Sequence, residues 1–239
     1  MKALILCAGE GSRLRPLTYL LPKPLVPVAG VPMVVRQMLA LKAAGITEVV
    51  INTAHGAARL EALLGDGQSY GMQITYSREG LSKADALETL GGIVKAQPFL
   101  VNDPDEAFLV VAGDIVTDYD YRELVRAARS LSTQGDLAHL VLVPNPDFHP
   151  LGDMGLEAGH IVREPRRWTF SSLGAYHRSL FDGLEVERAK LFPWLWQTIE
   201  AGRVQGSVYQ GLWLNVGDFD ELNKANQALR EREPAALSV

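Results

Sequence analysis

Several things are scarce in this chain, and each scarcity excludes something. A single cysteine, Cys7, stands among 239 residues, so no disulfide can form within the chain and no set of thiolates can hold a structural zinc ion. The histidines His55, His139, His149, His160 and His177 include no i,i+4 pair and no cysteine partner at zinc spacing, so they receive no catalytic role. Positive charge is also in short supply. The formal net charge is -5 with no basic cluster, which argues against nucleic acid as a partner, since phosphate-backbone binding needs a positive face. No apolar run reaches membrane-spanning length, and no charged segment precedes an apolar stretch with a cleavage site. A cytoplasmic protein with no membrane partner is therefore expected.

What is present is a balanced globular composition, 47% hydrophobic with a mean hydropathy of +0.04, long enough for one large domain over residues 1–239. Strand and helix patterns alternate. Apolar runs at 3–8, 48–52 and 107–112 read as buried strands, and 72–77 alternates apolar and polar residues as a half-buried strand does. Between them, 33–44 and 57–64 carry helical periodicity, with Pro32 placed to open the first helix and Gly45 to close it. Helices are also expected at 121–130, 190–196 and 221–230, and strands at 137–143 and 204–209. The fold class is α/β: a Rossmann-like, mostly parallel central sheet flanked by helices, with ligands at the carboxyl ends of its strands.

The first such end is the most informative stretch. The run from Ala3 to Ala8 gives way to Gly9, Gly11 and Ser12, where the backbone can curl with its N–H groups inward as an anion cradle. Arg13 and Lys23 add two cations, one a planar fork and one a point charge, and Pro22 and Pro24 hold Lys23 in an extended segment. The string is neither a dinucleotide fingerprint, which needs a third glycine where Leu14 stands, nor a Walker loop, which needs Gly-Lys-Ser/Thr. It looks built for a polyphosphate. Farther on, the buried strand 107–112 runs through Gly113 into Asp114. A carboxylate at such a place is solvated, paired or coordinating, and beside a triphosphate its natural partner is Mg2+. Asp118 and Asp120 read as a turn and a helix N-cap, and Thr89 with Gly91 and Gly92 precedes a helical pattern, which leaves backbone N–H and C=O groups available to read a flat base edge.

The whole string A-G-x-G-S-R-L-x-P-L-T, followed by P-K-P-L-x-P-V, resembles the signature of the sugar-phosphate nucleotidyltransferases, whose fold is GT-A-like with a small sugar-binding subregion. The resemblance implies that residues 1–120 form a nucleotide-binding half and 121–239 a sugar-phosphate-binding half. It implies nucleotide contacts from Ala8, Gly9, Gly11, Ser12, Arg13 and Lys23, and from Glu88, Thr89 and Gly91 of L-E-T-x-G-G against the base. It further implies sugar contacts from Asn145, Gly155, Ser171 and Trp213, and metal ligation by Asp114 and by Asn215 of W-x-N-V-G. Three positions depart from the usual pattern: Leu90 replaces a small residue, D-M-G-L replaces D-F-G-L, and Asn215 stands where several members carry aspartate. Within the family the chain looks most like the short bacterial N-acetylmuramate 1-phosphate uridylyltransferases, which implies UTP, a sugar 1-phosphate and Mg2+. A mannose- or heptose-1-phosphate guanylyltransferase and a non-catalytic nucleotide-sugar sensor are the alternatives.

The implied chemistry suits these residues. A sugar 1-phosphate is mostly dianionic at neutral pH, its second pKa being about 6, so its oxygen needs no general base. The reaction needs in-line placement and charge neutralisation, which Arg13, Lys23 and Asp114 are expected to provide as the catalytic set.

Overall fold

The computed structural model describes residues 1–80, 82–103 and 106–232. The chain enters on β1 (Ala3–Leu6), passes the glycine turn and the short helix α1 (Leu17–Leu20), and makes a small ribbon from β2 (Pro27–Val28) and β3 (Val31–Pro32). Helix α2 (Met33–Ala43) leads to β4 (Glu48–Thr53), α3 (Ala57–Leu64) to β5 (Gln73–Arg78), and α4 (Glu88–Leu100) to β6 (Ala107–Ala112). After β7 (Ile115–Thr117) and α5 (Tyr121–Ser130) come β8 (Ala138–Val143), β9 (Gly155–Glu157), β10 (His160–Val162) and β11 (Thr169–His177). The short helices α6 (Leu191–Trp194) and α7 (Trp196–Glu200), strands β12 (Val204–Val208) and β13 (Trp213–Asn215), and helix α8 (Phe219–Arg232) complete the described chain.

One nine-stranded sheet, in the order β5-β4-β1-β6-β11-β8-β12-β10-β9, organises the molecule. From β5 to β6 every pairing is parallel, as the strand–helix alternation requires. Strand β11 enters antiparallel between β6 and β8, a strand that the sequence reading did not anticipate. Alternation along each strand sends side chains to two faces. Ala3, Ile5 and Cys7 face a core with Val34, Met38 and Leu41 of α2 and with Leu124 and Ala128 of α5. Leu4, Val50, Phe108 and Val110 face the opposite core with Ile93 and Val94 of α4. A third cluster packs α8, through Leu222, Ala225 and Leu229, on Leu14, Val26, Val28 and Val216, so the last helix holds the glycine turn and β13 together.

Local rules account for most of these elements. In α5 the buried residues Tyr121, Leu124, Val125 and Ala128 fall at helical spacing, and the Asp120 side chain caps the first turn by accepting from the Arg122 N–H. Two expectations need correction. Gly91 and Gly92 lie inside α4 instead of before it. The helix expected over 190–196 is broken into α6 and α7, with Phe192 extended at φ -103 and ψ 136, because Pro193 bars the residue before it from helical torsions.

Candidate active site

A cavity of about 560 Å³ opens at the carboxyl ends of the parallel strands. Its lining runs from Leu6, Ala8, Gly9 and Glu10 through Asn52 and Glu79, past Glu88 and Thr89, to Ala112 and Asp114. Ala86 and Val110 also belong to it, and Phe170, Ser172, Tyr176, Arg188, Lys190, Leu191 and Phe192 form the rest.

The glycine turn and Asp114 meet at one corner. Gly11 sits at φ +65, and a β-carbon there would come within 2.8 Å of Lys23 Cβ, so only glycine lets the Lys23 segment lie this close. The Thr18 hydroxyl donates to the Gly11 carbonyl at 2.9 Å, and Leu14 N–H donates to the same carbonyl at 3.0 Å, which fixes the turn. Lys23, only 9% exposed, extends its ammonium to Asp114 Oδ2 at 2.5 Å. The two charges expected to share a ligand therefore share a site. Each neutralises the other there.

Beneath this pair lies a support that the sequence gave no sign of. Gln37, buried on α2, donates from Nε2 to the Ile115 carbonyl at 2.7 Å and accepts from the Tyr121 hydroxyl. It anchors the residue directly after Asp114. Cys7 lies behind the corner, and burial, with the nearby Asp114 carboxylate adding to it, pushes its thiol well up. Cys7 is thus an inert apolar residue, without nucleophilic character.

Strand β13 brings Asn215 to the same end of the molecule. It pairs with β7 so that Asn215 faces Ile115 across the ribbon, and the Val216 N–H donates to the Asp114 carbonyl at 3.1 Å. The Asn215 side-chain oxygen is buried and has no hydrogen-bond partner among the described residues. A buried acceptor in that condition calls for a donor or a cation, and an amide oxygen and a carboxylate are each ligands of the kind a hard divalent ion takes. Arg13 is exposed and lies against Gly217, where a β-carbon would meet its guanidinium at 3.0 Å. It sits over the 215–217 turn, outside the cavity lining.

On the side expected to hold the base, Glu88 opens α4 at φ +61 and pairs with Arg188 at 3.2 Å. Glu88 and Thr89 line the cavity; Gly91 does not. The Gly91 and Leu90 N–H groups donate to the Ala189 carbonyl, and a β-carbon on Gly91 would lie 2.0 Å from the Glu187 carbonyl oxygen. The glycine serves the close passage of segment 187–189, and the N–H groups expected to face a ligand are taken. A chain of hydrogen bonds ties this region to the glycine turn. Cys7 N–H donates to Asn52 Oδ1 at 2.6 Å, Asn52 Nδ2 to Glu79 Oε1 at 2.7 Å, and Leu87 N–H to Glu79 Oε2 at 2.7 Å.

None of the expected sugar contacts lines the cavity. Asn145 accepts from the Thr169 hydroxyl at 3.0 Å and donates to the Pro150 carbonyl at 3.2 Å. Gly155 faces the Pro165 carbonyl, 2.5 Å from where its β-carbon would be. Ser171 is fully buried and donates to the Val141 carbonyl at 2.6 Å, while Trp213 Nε1–H donates to the Ser171 carbonyl at 3.0 Å. The neighbours Phe170 and Ser172 line the cavity instead, where β11 shifts register against β8 and Ser172 takes φ +62. Tyr176, buried on the cavity floor, has its hydroxyl pushed well up by burial and remains a phenol.

A turn of backbone with two cations, a strand-end carboxylate and an open cavity at a parallel-sheet edge define an α/β nucleotide-handling enzyme. Residues 2–164 match the nucleotidyl transferase family, and the chain belongs to it. It is 45% identical, over 96% of its own length and 98% of the relative's, to N-acetylmuramate alpha-1-phosphate uridylyltransferase of Neisseria meningitidis serogroup B. It is 28% identical to a probable mannose-1-phosphate guanylyltransferase 2 of Arabidopsis thaliana, covering 100% of this chain and 69% of that protein. Among solved structures, the inositol-1-phosphate CTP transferase of T. maritima superposes with a TM-score of 0.74 at 19% identity, covering 100% of this chain and 98% of the other. That likeness speaks to the fold: the mixed, mostly parallel sheet flanked by helices is the fold of nucleotidyltransferases. Among the described residues no helix is long and apolar enough to cross a membrane.

Proposed function

We propose that this enzyme transfers UMP from UTP to a sugar 1-phosphate, N-acetylmuramate 1-phosphate, releasing pyrophosphate and leaving a nucleotide sugar. The observation that carries this reading is the Lys23–Asp114 contact at the cavity corner, together with the likeness of nearly the whole chain to the Neisseria uridylyltransferase. In the reaction an acceptor phosphate oxygen forms a bond to the α-phosphorus. The bond between that phosphorus and the α,β-bridging oxygen breaks, and the electron pair leaves with pyrophosphate.

Residues 1–120 bind the nucleotide in this scheme and 121–239 the acceptor. Ala8, Gly9, Gly11 and Ser12 cradle the triphosphate with backbone N–H groups. Arg13 stabilises the departing β- and γ-phosphates once the triphosphate spans the turn, and Lys23 neutralises the α-phosphate. Glu88 and Thr89 face the base, and Gly91 shapes that wall from behind. Asn145, Gly155, Ser171 and Trp213 support the acceptor side from outside the lining, and Phe170 and Ser172 face it. Asp114 and Asn215 are the residues that would hold Mg2+. When bound, the ion offsets phosphate charge near the reacting phosphorus. Lys23 must then turn from Asp114 to phosphate as ligands enter. No group is asked to remove a proton, since the acceptor is already a dianion at neutral pH.

The test is a panel of the four nucleoside triphosphates against N-acetylmuramate, mannose and glucosamine 1-phosphates, followed by pyrophosphate release. UTP with N-acetylmuramate 1-phosphate should be the preferred pair. A preference for GTP with mannose 1-phosphate would replace this reading with the guanylyltransferase one, and binding of nucleotide without turnover would make the protein a sensor.

A further inference from the structure

The cavity lining carries an uneven charge inventory. Its carboxylates are each engaged: Glu10 by Arg15 at 2.5 Å, Asp114 by Lys23 at 2.5 Å, Glu88 by Arg188 at 3.2 Å, and Glu79 by the Asn52 amide and the Leu87 N–H. Of the two cations in the lining, Arg188 is therefore used. Lys190 has no hydrogen-bond or ion-pair partner among the described residues. Exposed at the cavity, it is the one cation of the described lining that no carboxylate holds.

The backbone beneath that charge is fixed. Ala189 N–H donates to the Leu87 carbonyl at 3.0 Å, and the Ala189 carbonyl accepts from Leu90 and Gly91 at 3.0 and 3.3 Å, so the segment is bound to the start of α4. Two residues on, the Phe192 ring stands edge-on to Phe170, centroids 5.9 Å apart. Lys190 thus lies in sequence between the Glu88–Arg188 pair and an aromatic wall, on a segment separate from the Lys23–Asp114 corner. An acceptor phosphate has to reach that corner for in-line attack, and Lys190 stands on another segment. An unpaired ammonium on the other wall has a different anion to meet.

We infer that Lys190 is a specificity-determining residue that pairs with a carboxylate carried on the acceptor sugar, apart from its phosphate. The inference rests on the proposed transfer to a sugar 1-phosphate. The Phe170–Phe192 pair offers an apolar face to the ring carbons, and Lys190 a charge-assisted hydrogen bond to the substituent. A sugar lacking the carboxylate leaves the ammonium unpaired beside bound substrate, which is the arrangement that separates close analogues.

N-acetylmuramate and N-acetylglucosamine 1-phosphates differ only by a lactyl ether and its carboxylate, so the pair is a direct probe. With the full chain, UTP and Mg2+, kcat/KM is measured for both in the wild type, Lys190→Met and Lys190→Arg. Lys190→Met should lower kcat/KM for the carboxylated acceptor at least about tenfold and leave the other within about twofold, while Lys190→Arg keeps most of the wild-type ratio. An unchanged ratio in Lys190→Met would overturn the inference and leave the proposed function standing. An equal fall for both acceptors would also overturn it, by assigning Lys190 to the shared phosphate or to the nucleotide. Failure of the wild type to use N-acetylmuramate 1-phosphate would remove the proposed function and this inference together.

Discussion

The two walls of the cavity are built differently. The wall made by the ends of β1, β4 and β5 and the start of α4 is a continuous hydrogen-bonded chain from Cys7 through Asn52 and Glu79 to Leu87. The wall made by β11 and residues 188–192 is aromatic packing, a register shift and a proline-broken helix. The first suits a ligand whose shape never changes, a triphosphate on a base. The second suits the part of a reaction that differs from one relative to the next, because side chains there can be exchanged without cutting a network.

The largest expected effect strikes the corner where the walls meet. Asp114→Ala should lower kcat at least about a hundredfold in steady-state assays with the fold intact by circular dichroism, and Arg13→Ala by a similar factor, as for removal of one preorganised electrostatic group. Wild-type rates in both would refute the roles given to them. Gln37→Ala comes next. It strips the Ile115 carbonyl and the Tyr121 hydroxyl of a buried partner and should destabilise the protein by about 1–3 kcal/mol, read as a drop of several degrees in Tm. Unaltered Tm would mean that the support under Asp114 is dispensable.

Smaller effects sharpen the contrast between walls. Glu79→Gln keeps the shape of the network and loses one of its two accepted bonds, so KM for UTP should rise by a few-fold to about tenfold with kcat and acceptor KM unchanged. A change in acceptor KM alone would show that this wall does not serve the nucleotide. The mildest expectation concerns pH. The acceptor's reactive form is its dianion, so kcat/KM for the acceptor should fall as pH drops through about 6, when its phosphate takes up a proton, and should be level above that. A second fall near neutrality would reveal a titrating protein group that the present scheme does not contain.

This contrast also explains how much could be read in advance. The glycine turn, Lys23 and Asp114 were legible because each rests on a local rule: a buried strand that stops, a glycine where the chain must curl, a carboxylate at a strand end. The β-α-β order of the first half followed from periodicity alone. Asn52 and Glu79 were missed although a signal existed, since both lie at or just past the carboxyl ends of parallel strands, where ligands of such sheets gather. Gly91 was assigned an exposed backbone because no local pattern reveals that residues 187–189 will cross it. For Phe170, Lys190 and Phe192 the signal was weaker still. Their approach to the cavity depends on β11 inserting antiparallel next to β6 and on Pro193 breaking a helix, and sequence separation of this kind leaves little local trace. Pro193 was the one available warning.

The most direct test of the scheme as a whole follows the label when UTP carrying radioactive α-phosphate is incubated with N-acetylmuramate 1-phosphate, Mg2+ and the full chain. Nucleotidyl transfer at the Lys23–Asp114 corner predicts that the label leaves with the nucleotide sugar and that unlabelled pyrophosphate accumulates in equal amount. Label recovered only as UTP, UDP or free UMP, with the acceptor unmodified, would contradict it.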